Sequence, residues 1–128
     1  MNLLLDTHVA LWAITDCPML ATKARDLILA LKSTFWISVA SVWEIAIKHA
    51  LRCGAMPVNA QDALRCSQDA GYRMPAIAPE HAVAVEELPA FRADPFDRIL
   101  VAQALVEPMR LMTHDAQVAR DSDTIIKV

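Results

Sequence analysis

The chain has 128 residues, of which 55% are hydrophobic and 21% charged, and its formal net charge is −3. That length suits a single domain, 1–128, with one core, and the composition is too apolar for disorder. The acidic balance argues against holding nucleic acid by bulk electrostatics, and no apolar run approaches the roughly 20 residues of a membrane helix.

In chain order, "NLLL" is short, apolar and ends at Asp6, which predicts a buried strand. "THVALWAI" follows with Val9, Trp12 and Ala13 at helical spacing. "ATKARDLILALK" predicts a second helix with Leu27, Ile28 and Leu31 on one face. "FWISV" is aromatic and β-branched, the signature of a second strand. "ASVWEIAIKHALR" predicts a helix whose apolar stripe is Trp43, Ile47, Ala50 and Leu51. The two glycines, Gly54 and Gly71, each follow a predicted helix, where a left-handed C-cap favours a residue without Cβ. "NAQDALRCSQDA" is the helix before Gly71. "YRMPAIA" is a weak strand, compromised by Pro75. "PEHAVAVEEL" predicts a helix with Pro79 in its first turn. "RADPFDRILVAQAL" predicts the next helix, "RLMT" a strand, "DAQVAR" a short helix and "TIIKV" a last strand.

Strands alternating with helices give an α/β fold: a mainly parallel sheet with helices on both faces. Sites in such sheets form at the carboxyl ends of strands. Asp6 and Asp115 each follow a predicted strand, so both are expected on one sheet edge. Each also has a structural reading as a helix N-cap. Glu44 has two readings as well, a site carboxylate or a surface i, i+4 ion pair with Lys48. Asp94 precedes Pro95 and suits an N-cap with proline at the first helical position. Asp97 then falls one turn in, near the positive helix end, where capping alone explains it poorly.

A carboxylate cluster selects a hard cation, Mg²⁺ or Mn²⁺. His8, His49, His81 and His114 lack HxxxH spacing and cysteine partners, so no zinc set is expected and each reads as a surface or supporting histidine. Two glycines cannot build a phosphate-binding loop or a nucleophile elbow. Cys17, Cys53 and Cys66 are odd in number and without CxxC spacing. With no basic leader before Asp6, they suggest small core residues, reduced, in a cytoplasm.

Four segments together resemble the PIN domain, and specifically a VapC-like toxin of a toxin–antitoxin pair. "LLLDTHVALW" resembles the family's first strand and first acid, at Asp6. "ISVASVWEIAIKHALRCG" resembles the segment with its glutamate, at Glu44. "DPFDRILVAQAL" resembles the third motif, at Asp97, and "LMTHDAQVAR" the last, with Asp115 and Thr113. The resemblance implies an α/β/α sandwich and a Mg²⁺- or Mn²⁺-dependent ribonuclease. It also implies a homodimer and an antitoxin partner whose C-terminal segment reaches toward the acids. Many members with DPFDR carry a histidine where this chain has Arg92.

The expected site is therefore Asp6, Glu44, Asp97 and Asp115, acting on RNA through one or two ions, with Thr7 and Thr113 orienting the acids and Asp94 capping. A phosphatase-like domain would want a second acid at the place of His8. A receiver-like domain would want adjacent acids after its first strand. A PIN-like binding module without activity is the remaining alternative, and the presence of all four acids weighs against it.

Overall fold

The computed structural model describes residues 1–30, 33–52, 56–88, 94–120 and 124–128. The elements run β1 (Asn2–Leu5), α1 (Thr7–Ile14), α2 (Thr22–Leu29), β2 (Thr34–Ile37), α3 (Val39–Ala50) and α4 (Ala60–Asp69). They continue with α5 (Pro79–Ala84), a 3₁₀ turn (Val85–Glu87), α6 (Pro95–Val106), β3 (Arg110–Thr113), α7 (Ala116–Ala119) and β4 (Ile126–Lys127).

Four strands form one parallel sheet in the order β2-β1-β3-β4. Leu4 of β1 pairs in register with Trp36 of β2 and Leu111 of β3. Period-two alternation sends successive side chains to opposite faces. Leu3, Leu5, Phe35, Ile37 and Met112 join Val9 and Ala10 of α1 and Ala24 of α2 in one core. Leu4 and Leu111 join Ala40, Leu100, Val101, Ala104 and Val118 in a core on the other face. The result is the expected three-layer sandwich. A smaller cluster, Leu11, Ile45 and Ala63, joins α1, α3 and α4. Burying each leucine of this kind contributes about 1.5–3 kcal/mol before entropy is counted.

Several expectations shift. β2 stops at Ile37, because Ser38 caps α3: its Oγ accepts from the Ala40 N–H and donates to the Gln103 side chain, tying α3 to α6. "YRMPAIA" is not a strand. Only Arg73 pairs, beside Trp36, through Arg73 N–H to the Phe35 carbonyl and Ile37 N–H to the Arg73 carbonyl. Pro75 has no N–H with which to extend that ladder. The helix after Pro79 changes to the 3₁₀ turn at Val85 rather than running to Leu88.

Gly71 follows the α4 C-cap with φ of +82°, as its position predicts. After α3, the left-handed residue is Arg52, with φ of +53°. Leu31, Lys32, Cys53, Gly54 and Arg92 lie outside the described residues. Cys17 and Cys66 are free thiols and half-buried rather than core.

The α3 stripe needs the largest correction. Trp43 and Leu51 are 59% and 67% exposed, whereas Ala40, Ser41, Glu44 and Ile45 are buried. The buried face includes two polar residues because α3 packs beside α1, where Thr7 supplies hydrogen-bond partners for Ser41 and Glu44. Among the described residues, no helix is long and apolar enough to cross a membrane.

Candidate active site

The chain leaves β1 to build β2 on one side, then crosses to place β3 on the other. The sheet order therefore reverses beside β1, and the carboxyl ends of β1 and β3 open a crevice there. Asp6 follows β1, and Thr113, His114 and Asp115 end or follow β3. The N-terminal part of α6 and the middle of α3 close the other side. Asp6, Thr7, His8, Glu44, Lys48, Asp94, Asp97, His114 and Asp115 line one pocket. All four expected acids are thus brought together, with Asp94 as a fifth carboxylate.

Each acid is positioned by a local device. Asp6 caps α1, its Oδ1 accepting from Val9 N–H at 2.8 Å, while its Oδ2 accepts from the Thr113 hydroxyl. The capping reading of Asp6 is therefore correct, and only one of its oxygens is used for it. Asp6 is 7% exposed and Thr113 is fully buried. Asp115 caps α7 through Gln117 N–H at 2.8 Å, and its own N–H donates to Thr113 Oγ1 at 3.0 Å. Thr113 thus fixes both acids of the strand edge.

Glu44 is only 4% exposed, so the expected i, i+4 pair with Lys48 forms but its carboxylate is buried rather than on the surface. Its Oε1 accepts from Thr7 Oγ1 at 2.6 Å, and its Oε2 lies 2.5 Å from the Lys48 ammonium. Glu44, by hydrogen bond and then by charge, raises the Lys48 pKa above its ordinary value. Burial opposes the rise, and Asp94 and Asp97 add to it. Asp94 caps α6 as its sequence predicts, Oδ1 accepting from Phe96 N–H at 2.9 Å. Asp97 stands in the first turn of that helix.

Lys48, His8 and His114 are pocket residues that the sequence left as surface or supporting side chains. His114 Nδ1 lies 3.7 Å from Asp6 Oδ2. The approach of Asp6 raises the His114 pKa above the usual histidine value, with Asp115 adding, and burial and Lys127 opposing. The available signal was position: His8 lies two residues after Asp6, and His114 directly precedes Asp115.

Among the described residues, no three of His, Cys, Asp and Glu are gathered closely enough to hold an ion as they stand. The donor set nonetheless fits a hard cation, being carboxylate oxygens drawn from four elements. The Lys48 ammonium and the His114 ring now stand against two of those carboxylates. A divalent ion would compete with them for the same oxygens.

The fold is similar to VapBC2 from Rickettsia felis bound to a DNA fragment from their promoter, with a TM-score of 0.72, 17% identity, and 100% of this chain and 98% of that one covered. It is also similar to a toxin-antitoxin complex from Klebsiella pneumoniae, with a TM-score of 0.66, 14% identity, and coverage of 97% and 95%. A third likeness is VapBC-1 from nontypeable Haemophilus influenzae, with a TM-score of 0.63, 16% identity, and coverage of 100% and 97%. No curated protein sequence matches the chain. At such identities the likenesses speak to fold. Family membership rests on the sequence itself: residues 3–121 match the family described as PIN domain, and the chain belongs to it.

Proposed function

We propose that this PIN domain is a divalent-metal-dependent endoribonuclease and the toxin of a toxin–antitoxin pair, acting in the cytoplasm. One observation carries the reading: Asp6, Glu44, Asp97 and Asp115, from four separate elements, line a single pocket where the sheet order reverses. Neither capping nor surface pairing accounts for that convergence.

Asp6, Glu44, Asp97 and Asp115 would hold Mg²⁺ or Mn²⁺. The chemistry an ion would supply there is a bound water of lowered pKa and an offset to the charge of the scissile phosphate. Thr113 and Thr7 orient Asp6 and Glu44 by donating to one oxygen of each, while the second oxygen of Asp6 caps α1 and that of Glu44 faces the Lys48 ammonium. Asp94 holds the first turn of α6, and so the position of Asp97. Lys48 pairs with Glu44 in the metal-free protein.

A protein partner fits the apolar surface next to the site. Trp43, Ile77, Val85, Pro95, Phe96 and Ile99 line a groove there, with Trp43 59% exposed. Exposed apolar area of this kind marks association surfaces. The printed names of the structural neighbours, a toxin-antitoxin complex among them, support an antitoxin as one partner. A homodimer is proposed alongside it.

The test is cleavage of RNA by purified protein with Mg²⁺ or Mn²⁺, with EDTA, and by Glu44→Gln. The reading expects cleavage only with metal, and none from Glu44→Gln protein that melts like wild type. Wild-type turnover by metal-free protein would overturn it. Co-purification with the product of a neighbouring small gene, and the mass of the complex in solution, test the partners. A monomer that never co-purifies with that product would remove both.

A further inference from the structure

Three flat side chains meet at the rim of the acidic pocket. His8 and His114 line it, with ring centroids 5.1 Å apart. The indole of Trp12, one turn from His8 on α1, lies 4.9 Å from the His114 ring and 6.0 Å from that of His8. The three planes are inclined at 54° to 64°, so the rings meet edge to face or tilted rather than as a parallel stack. Trp12 packs against the core beneath, which fixes the base of the group. His8 is exposed, so core packing does not explain its place. The His114 side chain is 39% exposed.

We propose that His8 and His114, backed by Trp12, form a stacking subsite for one unpaired base of single-stranded RNA beside the acidic pocket. The proposal rests on the ribonuclease reading and deepens it. Unpaired bases are held by stacking on aromatic and histidine rings, whatever their sequence. Charge favours such contacts here. The formal net charge is −3, and five carboxylates share the pocket with one lysine, which is already paired to Glu44. The metal-free pocket therefore offers phosphate little attraction, and RNA binding there gains from contacts with ring faces. The subsite is adjacent to Asp6 and Asp115, which places the stacked base next to the phosphate to be cut.

The test uses a short single-stranded RNA with one base removed in turn at each position around the cleavage point. Wild type, His8→Ala and His8→Phe are compared by kcat/KM with Mn²⁺, and by binding of labelled RNA to metal-free protein. Thermal melts confirm that the variants are folded. Removing the stacked base should weaken wild type by about 5- to 160-fold, the range for one stacked base. The same removal should weaken His8→Ala much less, because only the His114 ring is left to stack on. His8→Phe keeps a flat face without an imidazole, and should recover the dependence on that base. Equal losses in wild type and His8→Ala at every position would overturn the subsite while leaving the ribonuclease reading intact. No cleavage of any RNA by wild type would overturn the ribonuclease reading, and the subsite with it.

Discussion

The two sides of the acidic pocket hold their carboxylates by different means. On the strand side, Asp6 and Asp115 accept backbone N–H groups of α1 and α7 and share the buried Thr113 hydroxyl. On the helix side, Glu44 takes the Thr7 hydroxyl and the Lys48 ammonium. The strand side is thus built into the backbone, and its acids hold the fold as well as the pocket. The helix side is balanced by a long, flexible cation that can move away. Stability and function should therefore separate on the helix side and stay joined on the strand side.

The largest effect is expected at Asp6. Asp6→Ala removes the α1 cap and leaves the buried Thr113 hydroxyl without its acceptor. Together these should cost about 2–4 kcal/mol and abolish cleavage. A denaturant melt near wild type would show that the strand side is less bound to the fold than proposed.

Lys48→Met should come next, at about 1–3 kcal/mol, since it leaves the buried Glu44 carboxylate without its counter-charge. That loss should be reversible. Magnesium chloride should raise the melting temperature of Lys48→Met more than that of wild type, because the competing ammonium is gone. An equal rise in both proteins would mean that Lys48 and the metal do not share oxygens.

Asp94 should show the smallest effect. Asp94→Ser keeps a side-chain oxygen for Phe96 N–H and should retain stability and much of the activity. Asp94→Ala should cost about 0.5–2 kcal/mol. If Asp94→Ser were inactive while folded, its carboxylate would belong with the acids proposed to hold the metal.

Legibility in the sequence followed the range of the interaction. The Asp94–Pro95 cap, Asp6 at the end of β1 and the turn at Gly71 are set by neighbours in the chain, and each was readable there. The parallel sheet followed from alternating elements. The face of α3 was not readable, because Glu44 is buried by Thr7, a residue 37 positions away. Periodicity favoured the stripe through Trp43, which the fold leaves exposed. The Glu44–Lys48 pair was readable from its i, i+4 spacing, but not its place in a pocket, and His114 was missed for the same reason: the pocket forms only when β1, β3, α3 and α6 meet. The partial pairing at Arg73 shows the local limit from the other direction, since Pro75 was enough to cast doubt on the strand.

If these acids form the proposed metal-dependent site for cutting RNA, Asp97→Asn should separate cleavage from folding. Asp97 lies in the first turn of α6, where the cap belongs to Asp94 and not to Asp97. Removing one charge from a crowded acidic pocket also relieves repulsion when no metal is bound. The measurement is RNA cleavage by wild type and Asp97→Asn across a Mn²⁺ titration, with a thermal melt of each. The account predicts that Asp97→Asn melts at or slightly above wild type and cuts no RNA at any Mn²⁺ concentration. Cleavage by folded Asp97→Asn with the wild-type dependence on Mn²⁺ would contradict it.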